Sequence, residues 1–126
     1  IGAMNFLTGA RKLGQGLFEL GGSRFQAARE PQPLAIGQQA TLGIRPEDVA
    51  FKKSETLRDN RLQAKVGHLE FRGPSTRVSL VLTQAGPRIP IEADLPAATA
   101  RELRLAPEAM VQLELPAERV SAYVAA

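Results

Sequence analysis

The sequence predicts an all-β fold, a small closed barrel carrying one short helix, and three observations lead there. From about Gln39 onward apolar residues recur with period two, as strands with one buried face require. Turn signals punctuate these runs at short intervals, at Arg72-Gly73-Pro74-Ser75, Ala85-Gly86-Pro87 and Leu115-Pro116. One run changes parity midway, and a barrel corner accounts for that change.

Taken in chain order, the opening is the least regular part. Five of the eleven glycines lie between Gly9 and Gly22, and "REPQPLAIGQQ" reads as loop, which leaves strands at Asn5–Leu7, around Leu17–Leu20 and around Arg24–Ala28. Ala40, Leu42 and Ile44 then share one face of a strand. Leu62, Ala64 and Val66 form the next, after which the apolar parity slips to Leu69 and Phe71. A β-bulge at Gly67-His68 absorbs the slip, because an unabsorbed shift of one residue turns every later side chain to the wrong face. Val78, Leu80 and Leu82 follow, then Ile89, Ile91, Ala93 and Leu95. Pro90 lies on the outward parity of that last run and cannot donate to a ladder, so the strand belongs at an edge or beside a bulge. In "DLPAATARELRLAP" Asp94 and Pro96 start a short helix that closes one barrel mouth, and Pro107 ends it. Val111, Leu113 and Leu115, and then Val120, Ala122 and Val124, complete the strands. The expected organisation is one domain over residues 1–126, with irregular opening strands and a loop over 1–38 and the main barrel over 39–126.

Composition limits the chemistry. At 126 residues with 44% hydrophobic content the chain suits a single packed core. Cysteine is absent, so neither disulfides nor thiolate zinc ligation is available. No apolar run reaches the roughly eighteen residues of a membrane span, and "IGAMNFLTGARKLG" lacks the apolar stretch of a signal peptide, which points to a soluble cytosolic domain. The first residue is Ile1 rather than methionine, as in a piece of a longer protein. The net charge of +3 favours an anionic partner, yet the basic residues are scattered as Arg11/Lys12, Lys52/Lys53, Arg58/Arg61 and Arg101/Arg104, without the dense stripe that tracks phosphates.

Catalytic patterns are missing. "GARKLGQG" does not have the spacing of a phosphate-cradling loop, and His68 is the single histidine, which removes His-paired metal ligation and most nucleophilic triads. Glu47 and Asp48 are sequence neighbours whose side chains point apart, whereas paired acid–base work needs both on one substrate. Of the six aromatics, Phe51 and Phe71 take core parity, so a base-stacking face is poorly supplied. No catalytic, cofactor-binding or metal-binding residue is assigned.

The remaining singular stretch is "LGIRPEDV". Gly43 stands on the outward parity, where it lets another backbone approach, and Pro46 presets the first position of a tight or helical turn. Glu47 and Asp48 sit where N-terminal amides favour anions. Arg45 is held extended by the following proline, so its planar fork can clamp a carboxylate or carbonyl across a boundary. The plainer alternative is a local ion pair of Arg45 with Glu47 or Asp48, worth under about 1 kcal/mol. For Asn5 the plainer alternative is a turn cap.

Gly43–Val49 resembles the Gly-Ile-Arg-Pro-Glu-(His/Asp)-Val motif of the TOBE (transport-associated OB) domain, the C-terminal domain of ATP-binding subunits of importer-type ABC transporters. Ile1-Gly2-Ala3-Met4-Asn5-Phe6-Leu7 resembles the opening of that domain, and "VGHLEFRGPSTRVSLVL" and "MVQLELPAERVSAY" resemble its later strands. Pro107-Glu108-Ala109 departs from the glycine usual in the turn before the closing strands. The resemblance implies an OB-like barrel on the cytoplasmic side of the membrane, peripheral to a transporter complex. It implies pairing and regulation of ATPase subunits, with the ATPase core of the same chain and a twin subunit as partners, permease subunits indirectly, and in some members a regulatory protein or solute. ATP and magnesium then belong to the ATPase core, with no cofactor in this stretch. Met4, Asn5, Gly43, Arg45, Pro46 and Glu47 are the interface candidates it selects. Two rivals stand beside it, a domain sensing a small oxyanion and a single-stranded nucleic-acid-binding OB protein.

Overall fold

Side chains along Ser75–Leu82 alternate without exception between buried and half-buried, and that strand lies inside one of two five-stranded antiparallel sheets. The computed structural model describes residues 3–52, 58–83 and 88–125. The first half runs through β1 (Asn5–Gly14), β2 (Leu17–Leu20), β3 (Ser23–Gln26), β4 (Gln39–Ile44), a 3₁₀ turn (Pro46–Asp48) and β5 (Ala50–Lys52). The second runs through β6 (Arg61–Arg72), β7 (Ser75–Leu82), β8 (Pro90–Pro96), helix α1 (Ala97–Glu102), β9 (Met110–Glu114), a 3₁₀ turn (Ala117–Arg119) and β10 (Ser121–Val124). The sheet orders are β10-β4-β1-β2-β3 and β5-β9-β6-β7-β8. Their inner faces meet in one core, with Phe18, Phe25, Leu7 and Leu42 from the first sheet and Leu80, Ile91 and Leu113 from the second among its largest fully buried side chains. The all-β, OB-like barrel with one short helix is the fold.

The two sheet orders are the same order. Advancing each of β1 to β4 by five strand numbers, and exchanging β10 for β5, turns the first into the second. The chain is therefore an internal repeat in which each half lends its last strand to the other half's sheet. Registers repeat too: Leu7 faces Leu42 as Leu62 faces Leu113, and Tyr123 faces Thr41 as Lys52 faces Gln112. Helix α1 has no counterpart, for residues 27–38 between β3 and β4 contain none.

Two asparagines at equivalent places join the sheets. Asn60 is 6% exposed and holds φ at 64°, a left-handed conformation that asparagine tolerates better than most residues. Its amide oxygen accepts from Gln26 N at 2.8 Å, while its Nδ2 donates to Gln26 O at 2.9 Å and to Leu115 O at 2.7 Å. Its backbone N–H donates to Arg24 O and its carbonyl accepts from Leu115 N. Asn5 repeats the gesture: Nδ2 donates to Glu92 O and Oδ1 accepts from Glu92 N, both at 2.8 Å. Each amide side chain mimics a peptide unit and pairs with the terminal strand of the opposite sheet, β3 for Asn60 and β8 for Asn5.

Several expectations hold. Register slips between Val66 and His68, which is the bulge, and His68 sits exposed there with Ser79 Oγ 3.4 Å from Nε2. Strand β8 is an edge, with Pro90 exposed on it. Others need correction. β1 extends ten residues, well past Leu7. Phe71 is not core: it is 73% exposed, because β9 pairs with β6 only from Arg61 to Lys65 and the β6–β7 hairpin runs on beyond that support. Val124 is likewise exposed. Helix α1 begins after Pro96 and ends before Arg104, whose φ of 51° breaks the helix ahead of Pro107. Asp94 is not its cap. It lies in β8 and receives Arg77 Nη2 at 2.9 Å, and bonds to Asp94 first and Glu92 second hold the Arg77 guanidinium above its ordinary range. The helix packs on β7 and β8 with Ala100 buried. The turn at Ala85-Gly86-Pro87, together with Lys53, Ile1 and Gly2, lies outside the described residues.

Asn60→Ala strands one buried and two part-buried backbone groups at once, so an unfolding free energy lower by about 3 kcal/mol is expected in urea titration. A loss below about 1 kcal/mol is inconsistent with a clamp at this position.

Candidate functional site

The stretch from Arg45 to Val49 forms as its residues demand. Arg45 is extended at φ −75°, ψ 147°, Pro46 takes the first 3₁₀ position, and Asp48 N and Val49 N donate back to Arg45 O and Pro46 O at 3.0 and 3.4 Å. Pro46 and Val49 are buried, anchoring the turn against β8, while Arg45 and Glu47 project into solvent. The repeat places the second 3₁₀ turn at the equivalent position, and the two meet through Arg119 Nε, 4.0 Å from Asp48 Oδ1. Arg29 arrives from the chain after β3. Its carbonyl accepts from Ala122 N at 2.8 Å and its N–H donates to Val120 O at 3.4 Å, which ties it alongside β10.

These segments enclose a cleft of about 250 Å3 lined by Met4, Arg29, Arg45, Glu47, Asp48, Arg119, Ser121 and Tyr123. Among the described residues, Arg29, Arg45 and Glu47 have no ion-pair partner, so the local pairing of Arg45 with Glu47 or Asp48 does not form. Beside the cleft, on the outer face of the first sheet, an apolar platform lies over Gly43. Phe6 and Ser121 flank Gly43 in the ladder, and the Phe6 and Tyr123 rings meet edge to face with centroids 6.3 Å apart. A Cβ on Gly43 would stand 2.8 Å from Tyr123 Cε2 and 3.1 Å from Met4 Cε. What approaches Gly43 is therefore a layer of side chains, where a backbone was expected.

Of the six sequence candidates, Met4, Arg45 and Glu47 line the cleft and Gly43 supports its apolar rim. Asn5 and Pro46 are buried structural residues, and Asn5 neither caps a turn nor faces outward. Sequence reasoning missed Phe6, Arg29, Arg119, Ser121 and Tyr123. The outward parity of Phe6 between Asn5 and Leu7 was a legible signal, whereas nothing local marks Arg29 or Arg119. No cluster of three or more His, Cys, Asp or Glu suited to a metal occurs among the described residues. Three guanidiniums, two carboxylates and a hydroxyl beside two aromatic rings suit binding of a partner surface or a small anion.

Residues 42–122 match the family model described as TOBE domain. The chain belongs to the TOBE domain family. Over 123 residues, 98% of the chain, this TOBE domain is 32% identical to the sulfate/thiosulfate import ATP-binding protein CysA 2 of Chromobacterium violaceum. It spans only 32% of that relative's length. Its fold is similar to that of the cytoplasmic molybdate-binding protein ModG, solved with molybdate bound, at a TM-score of 0.71 and 21% identity over 98% of this chain and 96% of that one. No helix among the described residues is long and apolar enough to cross a membrane.

Arg45→Ala removes an exposed, unpaired side chain, so the unfolding free energy should change by no more than about 0.5 kcal/mol. Gly43→Ala forces the Tyr123 ring and the Met4 methyl to shift, so it should cost about 1–3 kcal/mol while altering the near-ultraviolet dichroism of Tyr123. Cooperative unfolding at ambient temperature in either variant contradicts the placement of these residues.

Proposed function

We propose that this TOBE domain is the accessory, non-catalytic part of an importer-type ABC transporter ATP-binding subunit, serving dimerisation of ATPase subunits and regulation of solute import. One observation carries the reading: nearly all of the chain aligns with an import ATP-binding protein of which it makes up about a third. In this reading the remaining chain holds ATP and magnesium, and the domain lies on the cytoplasmic side, linked to the permease indirectly through the ATPase core. An exposed Phe6 and a half-buried Tyr123 beside arginines without an ion-pair partner among the described residues support a role in protein contact, since aromatic residues and arginine dominate interface energetics. Deleting the domain from such a subunit is expected to weaken ATPase dimerisation and solute uptake about ten-fold or more, equivalent to about 1.4 kcal/mol. Unchanged dimerisation and uptake in sedimentation and transport assays of the deletion removes the reading.

A second reading is favoured by the arginine-lined cleft. ModG is a molybdate-binding protein, and Arg29, Arg45, Arg119 and Ser121 offer charge-assisted donors to a tetrahedral oxyanion. Glu47 and Asp48 in the same cleft oppose it. An oxyanion at a hundred times its dissociation constant stabilises the fold by about 2.7 kcal/mol, a rise in melting temperature of roughly 10 °C for a chain this size. Absence of any shift with molybdate, sulfate or thiosulfate at millimolar concentration excludes this second reading.

A further inference from the structure

The internal repeat allows one face of the molecule to be compared with its own counterpart. On the outer face of the first sheet, Phe6 faces Gly43 from one side and Ser121 faces it from the other, and Tyr123 stands two residues along β10 from Ser121. The equivalent positions of the second sheet hold Arg61, Glu114 and Lys52. There Arg61 Nε donates to Glu114 Oε1 at 2.8 Å, and Lys52 Nζ lies 3.9 Å from Glu114 Oε2. The same backbone thus folds with a self-satisfied charge triad where the first sheet carries an aromatic pair over a glycine. Folding does not demand the apolar version, and Phe6 remains 55% exposed in it.

We propose that the platform of Met4, Phe6 and Tyr123 over Gly43 is a docking surface for a second copy of this domain, joined by an isologous interface in which Arg45 of each copy meets Glu47 of the other. The proposal rests on the subunit-pairing reading above and assigns it a surface. The choice of occupant follows from charge. Arg45 and Glu47, a cation and an anion with no ion-pair partner among the described residues, lie two residues apart beside the platform. A two-fold axis sets opposite charges against each other, because residue i of one copy meets j of the other and j meets i. A partner of single sign leaves one of the two facing its own charge. A nucleic-acid backbone fits less well, since Glu47 and Asp48 line its path and the Phe6 and Tyr123 rings, 69° apart in plane, do not present parallel faces for successive bases.

The test transplants the second sheet's triad onto the first. In sedimentation equilibrium the wild-type chain is expected to dimerise, and F6R/G43E/Y123K is expected to unfold at a similar temperature yet dimerise at least thirty-fold more weakly. R45E and E47R should each weaken pairing about ten-fold, and the double reversal should restore it to within a few-fold. The charge pair keeps the proposal decidable if the triple variant does not fold. Equal dimerisation of wild type, triple variant and both charge reversals overturns the surface while leaving subunit pairing intact. A wild-type chain that stays monomeric, both alone at roughly 100 μM and within a longer subunit, overturns the surface and the pairing reading together. Salt-sensitive binding of an oligothymidylate, abolished in the triple variant while the wild type remains monomeric, assigns the face to nucleic acid and also overturns the proposal.

Discussion

Two asparagine side chains hold this fold closed. A carboxamide is the side chain that carries a hydrogen-bond donor and an acceptor in the geometry of a peptide unit. At Asn60 and Asn5 it is used as one, pairing with the N–H and C=O of Gln26 and of Glu92. Strands β3 and β8 terminate their sheets, and an unpaired edge is both a cost when buried and a template for wrong pairing when exposed. Each amide meets one such strand at the point where the opposite sheet arrives. An aspartate could accept there but not donate, and a leucine could do neither. Burial supplies the driving force for the core, and these amides determine how the two sheets are set against each other.

Once the sheets are set, the exchange of final strands builds the cleft. Because β10 pairs with β4, residues from the end of the chain lie beside residues from its first half: Ser121 next to Gly43, Tyr123 next to Thr41, and Arg119 near Asp48. If each half kept its own last strand, Ala50 and Lys52 would occupy those places. The composite of arginines, carboxylates and aromatic rings is thus a product of strand exchange. The same exchange puts Lys52 beside Glu114 in the second sheet, where the outcome is an ion triad with Arg61. One architecture has produced an aromatic pair over a glycine in one sheet and a charge triad at the equivalent place in the other.

Much of this was readable in advance, for reasons that differ by element. The bulge at Gly67-His68 was legible because a parity slip between two clean apolar runs has one inexpensive solution. Pro90 marked an edge because a missing N–H is a local property. Phe71 misled because parity reports which face a side chain takes and is silent on whether anything covers that face. The repeat itself escaped notice because equivalent positions share polarity patterns more than residue types: Asn5 matches Asn60 and Glu47 matches Glu118, but Phe6 matches Arg61 and Gly43 matches Glu114. In the site, Arg45 and Gly43 stood out from their neighbours, whereas Arg29 is placed by hydrogen bonds to residues some ninety positions away.

The amino-acid sequence by itself determined that the chain is all-β, where nearly every strand lies, that a proline-led turn follows β4, and which family motif it carries. These follow from short-range regularities, period-two alternation and the fixed dihedral of proline, which act over a few residues and survive without knowledge of the partner strand. Only the tertiary structure decided that two halves interlock, that Asn5 is a clamp and not a contact, and that Met4, Arg45 and Glu47 share a cleft with Arg29, Arg119 and Tyr123. Those outcomes depend on hydrogen bonds and packing between segments far apart in the chain, for which neighbouring residues hold no record.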